Sequence, residues 1–353
     1  MSQSFNSDQR SCPDCCGPSA SRREFIKTAV GGIAAGAVSG SMLGGLVRPA
    51  SAAVAAGASS ETLVAQLYKS LNDQQRKIIC FPFNDPLRSK VDNNWHIIKP
   101  TIKSAFNPDQ RDLIRQIFMG MHSEEYAQRV FEQVDHDNQE AKAGGFEGCS
   151  VAMFGDPGTA GGQSKFEFVF TGRHVTRRCD GNSVEGEAFG GPIFYGHAAM
   201  SDNEAADHPG NAYWYQAKRA NELFQALDGN QRKIALRTDP RTEKGTDTVA
   251  LSGTDKGLTG IPLADLTVDQ KELAWKVMQD VLAPFRKTDA DKAMQLVDAA
   301  GRDKLHMTFY NYMDIGNDGV WDLWQIEGPS MVWYFRGAPH VHTWVHVRDP
   351  KAS

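Results

Sequence analysis

The 353-residue chain has few cysteines, and its charge leans only slightly to one sign, with 38 Lys and Arg against 43 Asp and Glu. It has no G-x-S-x-G elbow, no H-E-x-x-H, no dinucleotide fingerprint and no P-loop lysine in its glycine-bearing stretch Gly155 to Gln163. The common serine-hydrolase, zincin and nucleotide-binding signatures are therefore missing. No basic stripe is present, so nucleic acid is not an expected partner. The uncharged run Thr28 to Val47 is long enough for a bilayer, but its glycines make it a weak anchor.

That run follows "SRREFIK" (Ser21 to Lys27) and precedes "ASA", with small residues at Ala50 and Ala52. Paired arginines, an apolar stretch and a small-residue cleavage site form a twin-arginine signal peptide. The expected organisation is a leader over 1–52, a linker over 53–62 and one domain over 63–350. The mature protein would be periplasmic or secreted, delivered by the twin-arginine machinery, with no stable membrane anchor after cleavage. Removing five basic and three acidic leader residues leaves 33 against 40, a net charge of −7. The cysteines fall from six to three, Cys80, Cys149 and Cys179, and a Cys149–Cys179 disulfide is the expected pairing.

Within the mature chain, "LYKSLNDQQRKI" from Leu67 returns as "LFQALDGNQRKI" from Leu223, an offset of 156. "FNPDQRDL" from Phe106 matches "LTVDQKEL" from Leu266, "SVAMF" from Ser150 matches "HMTFY" from His306, and "FTGRHV" from Phe170 matches "IEGPSM" from Ile326. Four matches in order predict an internal duplication, with halves at about 61–180 and 217–337 and a C-terminal histidine strand. Each half opens on capping-box helices, Asn72 with Gln75, Asn107 with Gln110, Asp228 with Gln231 and Thr267 with Gln270. Strands follow, so the fold class is α+β, built of helix-helix-strand units with pseudo-twofold symmetry.

Three of the ten histidines crowd into "HVHTWVHVR". Alternation along a strand puts His340, His342, Trp344, His346 and Arg348 on one face and Val341, Thr343 and Val345 on the other. An H-x-H pair brings two imidazoles to one ion. His346 is roughly 13 Å from His342 at ~3.3 Å per residue, too far to share it on a straight strand. His306 and His174 each occur in only one half, facing Ser150 and Ser330 in the other. The expected ligands are His340, His342 and His306, with His174 as fourth ligand or catalytic base. Glu132 is a further catalytic candidate, four residues before His136 on a helix, although such a pair also suits a solvated helix face. Asp85, Arg88, Trp95 and His96 crowd the aperiodic stretch Phe81 to Pro100, with the character of a site rim. Arg88 and Arg348 have the geometry to clamp a carboxylate.

The motifs "FPFNDPLR…WHIIKP", "LTVDQKEL", "FGDPG", "FTGRHV", "LHMTFY", "IEGPSMVWYF" and "HVHTWVHVRDP" resemble a bacterial family catalogued as domain of unknown function 3500. The resemblance runs from about Leu63 to Pro350 and implies the family's motif histidines at His96, His174, His306, His340 and His342. It implies no reaction. In two places the chain departs from the family pattern, with Trp333 at an acidic position and His174 behind Arg173 where the family has a His-His pair. Three neutral imidazoles suit zinc, copper or iron. The functional expectation is a metal-dependent hydrolase with zinc-activated water acting on a small molecule, with anionic ones among the candidates. The alternatives are a copper or iron oxidoreductase and a non-enzymatic metal- or ligand-binding protein of the envelope. Replacing Arg22 and Arg23 with lysine should leave precursor in the cytoplasm, and native protein should begin close to Ala53. Mature protein still appearing outside the cytoplasm after that change would refute the twin-arginine route.

Overall fold

The computed structural model describes residues 58–140, 144–158, 165–197, 211–239, 241–311, 320, 323–337 and 340–352. The leader, and with it the arginine pair and cleavage site, lies outside the described residues. Among the described residues no helix is long and apolar enough to cross a membrane.

Helices α1 (Ser60–Ser70), α2 (Asp73–Ile79), α3 (Ile102–Ala105), α4 (Pro108–Gly120) and α5 (Glu124–Glu140) come first. They accompany strands β1 (Cys80–Phe81), β2 (Ser150–Gly155), β3 (Phe166–Gly172), β4 (Val175–Cys179) and β5 (Ile193–His197). The second set has α6 (Tyr215–Ala226), α7 (Gly229–Ala235), α8 (Val268–Leu282) and α9 (Lys287–Ala300). Its strands are β6 (Leu236–Arg237), β7 (Ile261–Pro262), β8 (His306–Tyr310), β9 (Leu323–Gly328), β10 (Met331–Arg336) and β11 (Val341–Val347).

All four capping boxes form as the sequence predicts. Each satisfies backbone N–H groups that the first turn cannot bond internally, worth ~1 kcal/mol apiece. The box glutamines also tie helix to helix. Gln75 Nε2 donates to Gln110 Oε1 at 2.8 Å, and Gln231 Nε2 to Gln270 Oε1 at 3.0 Å. Gln110 Nε2 goes on to Ser70 O, as Gln270 Nε2 does to Ala226 O.

The strands form one mixed sheet in the order β1-β2-β3-β4-β5-β11-β10-β9-β8-β6, with β7 also on β8. The short β1 and β6 run parallel to β2 and β8, and the remaining pairs are antiparallel. Mixed helices and a sheet bear out the α+β class. One face carries Val151, Met153, Ile326, Trp333, Val341 and Val345 into the main core against the helices. The opposite, outer face is buried too. Phe194, Val332, Tyr334 and Trp344 pack there with Val91 and Val249, and Ala152, Phe154 and Val169 pack with Ile97. Long connections, rather than water, cover this outer face, so β11 is buried on both sides even though one side carries histidines.

The expected disulfide is absent: Cys80, Cys149 and Cys179 are free thiols. Cys149 lies just before Ser150, which pairs with Thr171, whereas Cys179 pairs with Phe168 at the other end of β3. Burial pushes both thiols well above their ordinary pKa, as expected of unreactive core cysteines.

Glu167 on β3 is fully buried and pairs with Arg178 Nη1 at 2.6 Å and Arg88 Nη1 at 2.8 Å. Burial raises its pKa against the pull of Arg178 and Arg88. Arg178 also donates to the carbonyls of Pro192, Lys90 and Arg88, which fastens the outer connection to the sheet. Glu167→Gln leaves two arginines without their counter-charge. It should lower the unfolding free energy by about 3–5 kcal/mol in urea titration, and an unchanged midpoint would show that the trio contributes nothing.

Candidate metal centre

β11 begins beside β5, with His342 opposite Gly196 and Val341 opposite His197. His340 and His342 point to the same side of the strand, their ring centroids 4.8 Å apart and their Nε2 atoms 3.1 Å apart. Val341, Thr343 and Val345 are buried on the opposite side. The third imidazole comes from the turn between β3 and β4. His174 adopts the left-handed conformation at φ +58°, uncommon for non-glycine residues although histidine, asparagine and aspartate enter it more often than others. Its N–H donates to Asn93 O at 2.8 Å and its carbonyl accepts from Gly196 N at 3.1 Å. So held, its ring centroid lies 4.9 Å from that of His340 and 5.0 Å from that of His342. One nitrogen from each of the three lies within 4.8 Å of the others, and all three residues are buried.

Carboxylates orient two of the rings from behind. Asp137 on α5 bridges His174 Nδ1 and His197 Nδ1, each at 3.1 Å. Glu243 Oε2 is 2.7 Å from His342 Nδ1, and its Oε1 accepts from Trp344 Nε1 at 3.0 Å. A carboxylate acceptor at Nδ1 favours the proton there and the lone pair on Nε2, the tautomer suited to binding an ion. Arg336 Nη2 also lies against His342, 2.7 Å from Nδ1 and 3.0 Å from Nε2.

Burial, with Arg336 beside it, holds the His342 pKa well below 6.5, and burial with the neighbouring His342 does the same to His340. Burial lowers His174 as well, against the opposing pull of Asp137. Burial pushes the Asp137 carboxyl up, but hydrogen bonds from His174 and His197 hold it below the ordinary range, so it is ionised. Burial leaves Glu243 raised, with Arg336 and Trp344 opposing. The three imidazoles are thus neutral, the form a metal requires. Two Zn–N bonds of ~2.0–2.1 Å at a tetrahedral angle put their nitrogens roughly 3.4 Å apart. The His340–His342 separation is close to that, so this donor set fits a divalent transition metal.

The remaining candidates are placed elsewhere. His306 opens β8, which β9 and β10 separate from β11, roughly 14 Å away at ~4.8 Å per strand. There it faces Glu327, so His174, not His306, joins the H-x-H pair. Glu132 lies on the exposed side of α5 and accepts from Gln128 Nε2 at 2.7 Å. The helix buries Val130, Gln133, Val134, Asp137 and Asn138 instead. Arg88 is engaged by Glu167, Phe83 O and Gly190 O at the end of the β3–β4 hairpin opposite His174. His346 is held at the far end of β11 by Val249 O and Glu187, and Arg348 bonds Ala352 O. In the aperiodic stretch, Asp85 caps a short turn through Leu87 N and Trp95 Nε1 donates to Thr176 Oγ1. His96 is exposed and reaches Gly148 O. That stretch therefore covers the outer face, and Asn93 touches the centre through its carbonyl to His174 N.

The sequence reading missed Asp137, Glu243, Arg336 and His197. For Asp137 a signal existed: it is three residues beyond Val134 and seven beyond Val130, on the apolar stripe that Glu132 and His136 avoid.

A mixed α+β sheet protein with a three-histidine centre is the class these observations define. A family model described as "Protein of unknown function (DUF3500)" matches residues 55–352, so the chain belongs to that family. No curated protein and no solved structure matches it.

His122 shares the neutral state: burial and then Arg177 hold its pKa well below 6.5, and its Nε2 accepts from Arg177 Nε at 3.1 Å. For His122, His340 and His342 the unfolded chain binds protons first as pH falls past 6.5. The stability they confer is therefore complete above that pH and is lost beneath it. Metal-free protein should hold its urea midpoint near about pH 7.5 and lose part of it by about pH 5.5. A midpoint that stays level or rises over this range would contradict buried, neutral histidines.

Proposed function

We propose that this is an exported metal-dependent enzyme whose centre is His174, His340 and His342, and that it works as a zinc hydrolase on a small anionic substrate. The observation that carries the reading is the set of three buried, neutral imidazoles, two of them oriented by the ionisable carboxylates Asp137 and Glu243. His174, His340 and His342 would hold the ion, and zinc bound there would supply an activated water for hydrolysis. The chain's own groups do the rest. Asp137 and Glu243 hold the tautomers, and Arg336 adds a fixed positive charge that favours an anionic group beside the cluster. The buried surround keeps bulk water out. Twin-arginine export supports a metal acquired before translocation, and a periplasmic or secreted location follows from it.

We also propose that the domain is an internal duplicate with pseudo-twofold symmetry. The palindromic strand order and the repeated glutamine ties between helices support this.

Protein purified after native export should contain close to one equivalent of metal by elemental analysis. His174→Ala, His340→Ala and His342→Ala should each remove most of it, and His306→Ala should retain it. Full metal content in the His174 variant, or loss in the His306 variant, would overturn this ligand set. Azide binding to the cobalt-substituted protein tests the open position: a site closed to azide would favour a structural or storage role over catalysis.

A further inference from the structure

The register of the two sheet ends brings out a second polar region on the outer face, away from the three-histidine cluster. In the first half, Phe81 stands opposite Phe154 and Ala152 opposite Val169, and Ile97, Phe83, Leu87 and Trp95 pack over them. In the second half, the same positions in the strand pattern are Arg237 opposite Tyr310 and Thr308 opposite Gln325, followed by His306 opposite Glu327. Among the described residues a cavity of about 300 Å³ lies here instead, bounded by Arg237, Asp239, Arg241, Thr259, Tyr310, Gln325 and Glu327. Where one end of the sheet is plugged with hydrocarbon, the other presents charges of both signs around an empty volume. Packing alone gives no reason for that exchange, since burying polar groups is costly without partners.

From these groups we infer that the cavity binds a small hydroxy- or amino-carboxylate. Arg237 is about half exposed, and its nearest carboxylate, Asp239, is 4.0 Å away and itself 86% exposed. Its guanidinium fork is thus available to an oxyanion. Arg241 forms the wall: it donates to Gln325 Oε1 and Thr248 O and lies 4.9 Å over the Tyr334 ring. At the other end Glu327 accepts from Gln325 Nε2, Tyr310 donates to Gln325 Oε1 and Thr259 bonds Thr308, and the remaining lone pairs of Glu327, Tyr310 and Thr259 suit hydroxyl or ammonium hydrogens. The Tyr334 hydroxyl is buried with no partner among the described residues, and its ring lies 6.4 Å from that of Tyr310. The volume is at the lower end for small-molecule sites, which limits the ligand to a few carbons.

This site is separate from the metal reading, because metal content and ligand binding are measured independently. Titration calorimetry on the purified protein would use L-serine and D-glycerate, with acetate and glycerol as the separated halves of the ligand. L-serine or D-glycerate should bind at least tenfold more tightly than either fragment, and which of the two binds tells the amino from the hydroxy source. The combined change Tyr310→Phe, Gln325→Val and Glu327→Thr copies the first half's face. It should abolish binding and leave metal content unchanged. Arg237→Met, a half-exposed position, provides the same test if the triple variant does not fold, with at least tenfold weaker binding expected. No heat from either L-serine or D-glycerate, or wild-type affinity in the Arg237 variant, would overturn the inference.

Discussion

Everything in the centre depends on the close pairing of β5 with β11, and that pairing depends on Gly196. A Cβ at this position would lie 2.2 Å from Val341 O, so no other residue lets the last strand approach so closely. Gly196 faces His342 across the ladder, its N–H donates to His174 O, and its carbonyl accepts from Gln133 Nε2 at 2.8 Å. One glycine thereby fixes β11, the β3–β4 turn and α5 relative to each other. Those three elements carry His340 and His342, His174, and Asp137. The centre is a product of the seam between the two sets of strands, and neither set builds it alone.

The charges around the seam form a second layer of constraint. Neutral imidazoles cluster without mutual repulsion, which is why the protein can bury three of them within a few ångströms. Their orientation then has to come from elsewhere, and it comes from the carboxylates behind them. Asp137 remains ionised despite full burial because two imidazole N–H groups converge on it. Glu243 divides its two oxygens between His342 and Trp344. A divalent cation in front of these rings would complement the negative charge that the two carboxylates bring into a dry environment.

Much of the fold was legible in the sequence because its signals are local. The capping boxes are reciprocal bonds over three residues, so Asn72, Asn107, Asp228 and Thr267 announce their helices without any tertiary information. Strand parity likewise placed His340 and His342 on one side of β11. The third histidine of the cluster was harder, since choosing between His174 and His306 requires the strand order. Sequence adjacency and repeat offset treat the two alike, yet β4 is one strand from β5 and β8 is three from β11. Arg88 was misleading for a related reason. A polar, aromatic-rich connection suits both a site rim and a sheet cover, and only the buried Glu167 decides for the cover. Glu243 lies in a segment without periodicity, about a hundred residues from His342, and nothing local marks it.

The backbone of His174 shows what the centre required of the scaffold. The β3–β4 hairpin pairs Gly172 with Val175 and turns through Arg173 and His174. The β9–β10 hairpin pairs Gly328 with Met331 and turns through Pro329 and Ser330. Both are two-residue connections, but Ser330 is not among the residues with positive φ, whereas His174 is. A left-handed residue is therefore not needed to close a hairpin at this place in the sheet. For a side chain with a Cβ it costs on the order of 1–3 kcal/mol, sustained by the surrounding structure. At His174 that surround is the pair of backbone bonds to Asn93 and Gly196 together with the Asp137 carboxylate. Strain that the hairpin does not need, held by partners that converge on one imidazole, serves the direction in which that imidazole points.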